Sequence, residues 1–224
     1  MNENELQELL ADCPVLYHMA ERGSWGSIQR HGLLSTSALL DLYEVRGSER
    51  AVIETERRPD SMLLKHPVFG QAVVRDQKPM DNRGLERCLQ DELTPVEWYQ
   101  MLNARVFFWL TRERLLRLLR AGAYADKEHD VLELDAAPLV RAYREAITLS
   151  PINSGSTKPF PSPRGRSTFL SIDDYPYATW RAKRKRGERV VELSVLGGVP
   201  DVGRYVSRVT AMRGNETCDL VWER

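Results

Sequence analysis

The residues best suited to chemistry by type and spacing lie between positions 150 and 189. Ser150-Pro151-Ile152-Asn153-Ser154-Gly155-Ser156-Thr157 gathers small hydroxyl and amide groups. Such groups can donate hydrogen bonds to a ligand, with Asn153 and Ser154 the central pair, and they can equally build a plain cluster of turns. Pro163-Arg164-Gly165-Arg166 presents two guanidinium forks of the shape that grips phosphate. From Arg181 to Arg189 six of nine residues are basic, among them Lys183, Arg184, Lys185 and Arg186. Phe169, Tyr175, Tyr177 and Trp180 stand just upstream. Basic groups interleaved with aromatics suit single-stranded DNA or RNA, whose bases stack and whose phosphates pair. The alternative is a solvated charge run on a loop.

The chain as a whole exerts no strong pull on polyanions, because 32 Lys+Arg balance 32 Asp+Glu over 224 residues. Contact with nucleic acid therefore has to come from a local patch. Cys13, Cys88 and Cys218 are far apart and odd in number, which argues against a disulfide framework and fits a reducing compartment. His18, His31, His66 and His129 have no metal-ligand spacing, so no metal is expected. The last three read as surface or helix-end residues. The chain contains no phosphate-binding glycine loop, dinucleotide fingerprint, HExxH, G-x-S-x-G or EF-hand loop. The longest strongly apolar run, Val106 to Leu110, is far below the roughly 20 residues of a membrane span. The acidic start MNENELQELL is unlike a secretory signal, and a cytoplasmic protein is expected.

The elements that must carry these groups are mixed. Helices are expected over Glu5 to Ala11, from Trp25 to a stop at Gly32, over Ser37 to Tyr43 and over Ser48 to Arg57. Thr94-Pro95-Val96-Glu97 is a helix start, with a cap, a proline at the first position and a glutamate to close the box. Another helix follows Thr111 and carries Leu115, Leu116, Leu118 and Leu119; Ala136 to Ala146 forms one more. Strands are expected at Val15 to His18, Ala72 to Arg75, Arg105 to Leu110, Asp130 to Asp135 and Val190 to Val195. Val206 to Met212 and Cys218 to Trp222 read as a hairpin. The segment 150–188 reads as a long irregular loop, which in a compact domain points to function. Without a βαβ rhythm or a composition break, the expectation is one α+β domain over 1–224.

Four pieces occur in a telling order: LYHMAERGSWGSIQRHGLLS (16–35), ARVFFWLTRERLLRLL (104–119), DVLELDAAPLV (130–140) and RVVELSVLGGVPDVGRYVSRV (189–209). A strand ending in Tyr-His, a helix with Trp and Ile, and then His-Gly-Leu resemble the opening of ADP-ribosyltransferases and RNA 2′-phosphotransferases. The apolar strand with its Leu-rich helix, and the Val-Glu-Leu-Ser-Val strand, resemble later parts of that superfamily. The nearest likeness is to DNA ADP-ribosyltransferase toxins of the DarT type, with this chain resembling a family at the superfamily's edge.

The resemblance implies a split mixed β-sheet with surrounding helices and NAD as a substrate. It implies that Glu192 and His18 are catalytic, and that Tyr17, His18, Phe107 and Phe108 hold NAD. The 150–188 segment becomes the substrate-recognition loop. Arg22, Arg30, Arg46 and Arg75 are all open as the partner of the NAD phosphates. A glutamate that grips the ribose near the developing positive charge stabilises the transition state more than the ground state. The implied protein is a toxin or defence effector acting on nucleic acid or protein, with an antitoxin as protein partner. Two alternatives stay open: an RNA 2′-phosphotransferase, and an inert module of the same fold that binds a nucleotide or nucleic acid.

Overall fold

The computed structural model describes residues 1–224. Helix α1 (Glu3–Asp12) begins at Asn2, whose side chain accepts from the Glu5 N–H while Glu5 accepts from the Asn2 N–H. Strand β1 (Val15–Glu21), helix α2 (Trp25–His31) and strand β2 (Leu33–Leu34) follow. Asp130 fixes the start of α2. Its buried carboxylate accepts from the Gly23 and Trp25 N–H groups and pairs with Arg22.

Helices α3 (Thr36–Leu42) and α4 (Gly47–Thr55) pack against the hairpin β3 (Met62–His66) and β4 (Gly70–Val74) around Leu40, Ile53, Leu64 and Val74. After α5 (Asn82–Glu86), the expected capping box of Thr94 and Glu97 opens α6 (Pro95–Asn103). Strand β5 (Arg105–Trp109) leads to α7 (Arg112–Leu119), which Thr111 caps. Then come β6 (His129–Asp135), α8 (Ala136–Tyr143), β7 (Ile147–Ser150), β8 (Leu170–Ser171) and α9 (Tyr177–Lys183). The chain ends with β9 (Glu192–Leu196), β10 (Gly198–Val199), β11 (Val206–Arg213) and β12 (Glu216–Glu223). No helix is long and apolar enough to cross a membrane.

Eight strands form one sheet in the order β12-β11-β6-β1-β5-β9-β7-β8. The architecture is α+β, but the sheet is not mixed: each of its strand pairings is antiparallel. Nor is 150–188 one irregular loop. Residue 150 ends β7, and the segment contains β8 and α9. These short elements lack a periodic apolar pattern of their own and form by pairing with, or packing on, their neighbours.

The sheet is weakest at its centre. β1 pairs with β6 along its whole length, but meets β5 only at Tyr17↔Trp109. On β5, Val106 and Phe108 are buried in the main core while Phe107 and Trp109 point the other way. Past the single contact the strands part, and side chains satisfy the backbone there. Phe107 O lies 2.9 Å from His18 Nδ1, and Met19 O accepts from Arg75 Nη1 at 3.0 Å. A second, smaller pairing of β2 with β10 closes the rim. Gly32 and Gly198 permit it: both have positive φ, and a Cβ at Gly198 would sit 2.4 Å from Leu33 O.

Candidate functional site

The parting of β1 and β5 opens two adjoining cavities. The one beside Glu192, termed inner for its place next to that carboxylate, is about 240 Å³ and is lined by His18, Phe107, Trp109, Asn153, Ser154 and Glu192, together with Arg58, Arg75 and Arg105. The outer one, about 180 Å³, is more apolar and runs under Ile28, Leu33, Leu34, Leu39 and Val74. His18, Thr36, Arg75, Arg105 and Phe107 line both. The whole is a two-lobed cleft with a basic waist.

Glu192 opens β9, in register with Trp109 of β5 on one side and Ser150 of β7 on the other. It is 4% exposed. One oxygen, Oε2, accepts both from the Ser154 N–H at 3.0 Å and from Ser154 Oγ at 2.6 Å. Burial pushes the carboxyl up to about 7, against the opposing pull of the Ser154 bonds and of Arg164 and Arg114. The carboxyl thus titrates in the physiological range, and its second oxygen makes no bond within the protein.

His18 belongs by strand parity with Leu16 and Ala20, which face the main core. It reaches the cavities because the strands part beside it. Burial lowers its ring to about 4, so the imidazole is neutral at pH 7. A carbonyl oxygen can only accept, so Nδ1 carries the proton that bonds Phe107 O. Nε2 is left as an acceptor, suited to a ligand hydroxyl.

The loop after β7 holds Ser154 in place, and Arg164 holds the loop. Arg164 donates through Nη1 to Ser154 O at 2.8 Å, Nη2 to Ser156 O at 2.8 Å and Nε to Ser162 O at 3.1 Å. Its guanidinium lies 5.6 Å above the Trp98 ring, and the residue is 1% exposed. This corrects the expected role. Arg164 is a staple inside the loop: each of its three nitrogens bonds a loop carbonyl, and the residue is buried outside both cavities.

Other expectations need correction too. Arg166 lies outside both cavities; its N–H bonds Asp91 and its guanidinium approaches Glu97 at 3.8 Å. Tyr17 lines neither cavity and packs with Trp109 against Leu115 and Leu119. Of the two phenylalanines only Phe107 faces the cleft, while Phe108 is core. His129, expected at the surface, is buried on β6 with Nε2 3.3 Å from Tyr124 O.

The basic run lies outside both cavities. Arg181, Arg186 and Arg189 meet Glu8 and Asp12 of α1, and Arg184 donates to Pro151 O at 2.7 Å. Tyr175 and Tyr177 are 1% exposed, Phe169 is buried, and Trp180 carries Lys183 and Arg184 on its ring. The aromatics expected to stack on bases are therefore largely engaged with the protein itself. Lys185 is exposed and shares a shallow groove with Asn153.

Among the four arginines open for the NAD phosphates, only Arg75 lines the cleft. Arg22 pairs with Glu128 and Asp130, Arg46 with Asp41, and Arg30 bonds Gly26 O. Arg105 also lines it, as do Arg58, Gln77, Asn103 and Tyr124, whose types and spacing give no reason to single them out. Arg105 alone had a readable sign, as a charged residue on the Phe107 face of a strand otherwise apolar.

No curated protein matches this chain. A family match runs from residue 14 to residue 206 and so contains both His18 and Glu192: the chain belongs to the family of unknown function DUF7002.

Proposed function

We propose that the cleft binds NAD and transfers its ADP-ribosyl group to an acceptor, with Glu192 and His18 as the catalytic pair. The observation that carries this reading is that His18 and Glu192, from opposite ends of the chain, line one cavity. The two lobes support it as well. A dinucleotide needs an apolar bay for its base, cations at its middle and a carboxylate at the reacting ribose, and the cleft offers these in that order.

When bound, NAD supplies the scissile nicotinamide–ribose bond. His18 Nε2 accepts from a ribose hydroxyl and fixes the sugar, and the Phe107 ring packs beside the nicotinamide. The free oxygen of Glu192 takes a second hydroxyl, and its negative charge faces the positive charge that grows on the sugar as the bond stretches. Ser154 keeps that carboxylate oriented through its two bonds. Only the ionised form of Glu192 can do this, so turnover rises with pH through about 7.

The test is release of nicotinamide from NAD, read alongside transfer of labelled ADP-ribose to DNA, RNA and protein. Activity in the wild type that is lost in Glu192→Gln and in His18→Ala is the expected result. A folded wild type that binds NAD without turnover would replace enzyme by binding module. A wild type that neither binds nor cleaves NAD would overturn the reading.

A further inference from the structure

Arg58 and Arg105 stand out in the inner cavity as cations without a carboxylate. Arg58 is 7% exposed, yet its bonds go only to carbonyl oxygens: Nη1 to Ile53 O at 2.6 Å and Nε to Arg75 O at 3.0 Å. Ile53 lies in the last turn of α4, so the helix end compensates part of the charge, about half a unit. Arg105 donates through Nη1 to Met101 O at 2.7 Å and lies over the Phe169 ring at 4.6 Å. Its Nε is sealed from solvent with no partner at all. Nη2 of each guanidinium makes no bond within the protein. Gln77 lines the same cavity; its Oε1 accepts from the Arg58 N–H at 3.1 Å, which leaves its amide Nε2 as a neutral donor.

A buried cation without a counter-ion is costly unless a ligand completes it. The carboxylates at hand do not. Asp76 already accepts from Tyr124 at 2.7 Å and from the Lys78 N–H at 3.0 Å, and Arg75 lies beside it at 3.9 Å. Glu192 is tied to Ser154. Three guanidiniums thus face two carboxylates, one of which is half neutral at pH 7. The excess positive charge calls for an anion, and a phosphate, with three oxygens to present, can meet both guanidiniums and Gln77 at once where a carboxylate has only two. Arginine forks fit the phosphate oxygens.

We propose that the inner cavity holds a phosphate group of the acceptor substrate, gripped by Arg58 and Arg105 with Gln77 as a third donor. That the phosphate belongs to the acceptor rests on the ADP-ribosyl transfer reading, in which Arg75 at the waist takes the NAD phosphates. The subsite itself does not depend on that reading.

The experiment is titration of the full chain with inorganic phosphate in the absence of NAD, by calorimetry, with sodium acetate at equal ionic strength as the comparison. Saturable phosphate binding is expected, at least tenfold weaker in Arg58→Gln and weaker again in Arg58→Gln/Arg105→Gln. Lys127→Gln, an exposed change outside the cavities, should leave it intact. Because Arg58 also holds α4, a second readout uses the wild type alone: the Nε–H resonances of Arg58 and Arg105 should shift as phosphate is added. Shifts confined to other residues, acetate binding as tightly as phosphate, or no saturable binding would each overturn the subsite. An enzyme that turns over NAD but ignores phosphate sinks the subsite and leaves the transfer reading standing. Phosphate binding without NAD turnover does the reverse.

Discussion

Two groups of arginines divide this molecule. Those of the 181–189 run sit at the surface beside α1, and three of them are matched to Glu8 and Asp12. Those of the cleft, Arg58, Arg75 and Arg105, are scattered along the sequence and poorly matched in space. Density along the chain therefore says little about unpaired charge. What matters is whether folding brings a carboxylate to each guanidinium, and here it does so for three of the four in the conspicuous run and, in the cleft, for Arg75 alone.

The comparison can be broken at four places. Glu192→Gln keeps the shape of the inner cavity and removes its catalytic charge. Nicotinamide release should fall by about a hundredfold or more, with NAD affinity little changed. The same change tests a sign. The folded protein holds this carboxyl near 7, above its ordinary 4.5, so it binds more protons than the unfolded chain between those values. Stability should fall as pH rises through that window, by roughly 3 kcal/mol in all, and Glu192→Gln should flatten that part of the profile in chemical denaturation.

Arg189→Met strips the surface group of its best-connected member, which meets Glu8, Asp12 and Tyr177. The Asp12 carboxylate is nearly buried, and losing a partner should lower the melting temperature by roughly 5 °C. Arg105→Met should act in the opposite direction. It removes a half-buried cation that no carboxylate balances, so the ligand-free protein should gain about 1 kcal/mol while anion binding weakens. A loss of stability there would show that Arg105 is structural and that the two groups differ less than their partners suggest.

The smallest effect is expected from Lys183→Ala/Lys185→Ala. Both side chains are exposed and free of ion pairs, so stability should stay within about 0.5 kcal/mol. These two lysines are also what remains of the polyanion expectation. If the run touches nucleic acid, they should account for most of the salt dependence of binding, and an unchanged slope would remove that role.

Elements with a short-range cause were legible along the chain. The capping box at Thr94 and Glu97, the cap at Thr111 before a Leu-rich face, and the alternation of Arg105 to Trp109 each depend on residues within a few positions of one another. So does the hairpin of β11 and β12. Strands β7 and β8 carried no such pattern, because their pairing is with residues far along the chain.

The cleft, by contrast, arises from long-range packing. Whether Glu192 faced out from an ordinary strand or in toward His18 depended on β1 and β5 parting after one contact, and no residue type announces that. The fate of Arg164, drawn inward by three carbonyls of its own loop, was equally hidden. A guanidinium reads the same in sequence whether it will meet a ligand or a backbone. Its partner is chosen by the desolvation of neighbouring carbonyls and carboxylates, which is a property of the packed fold.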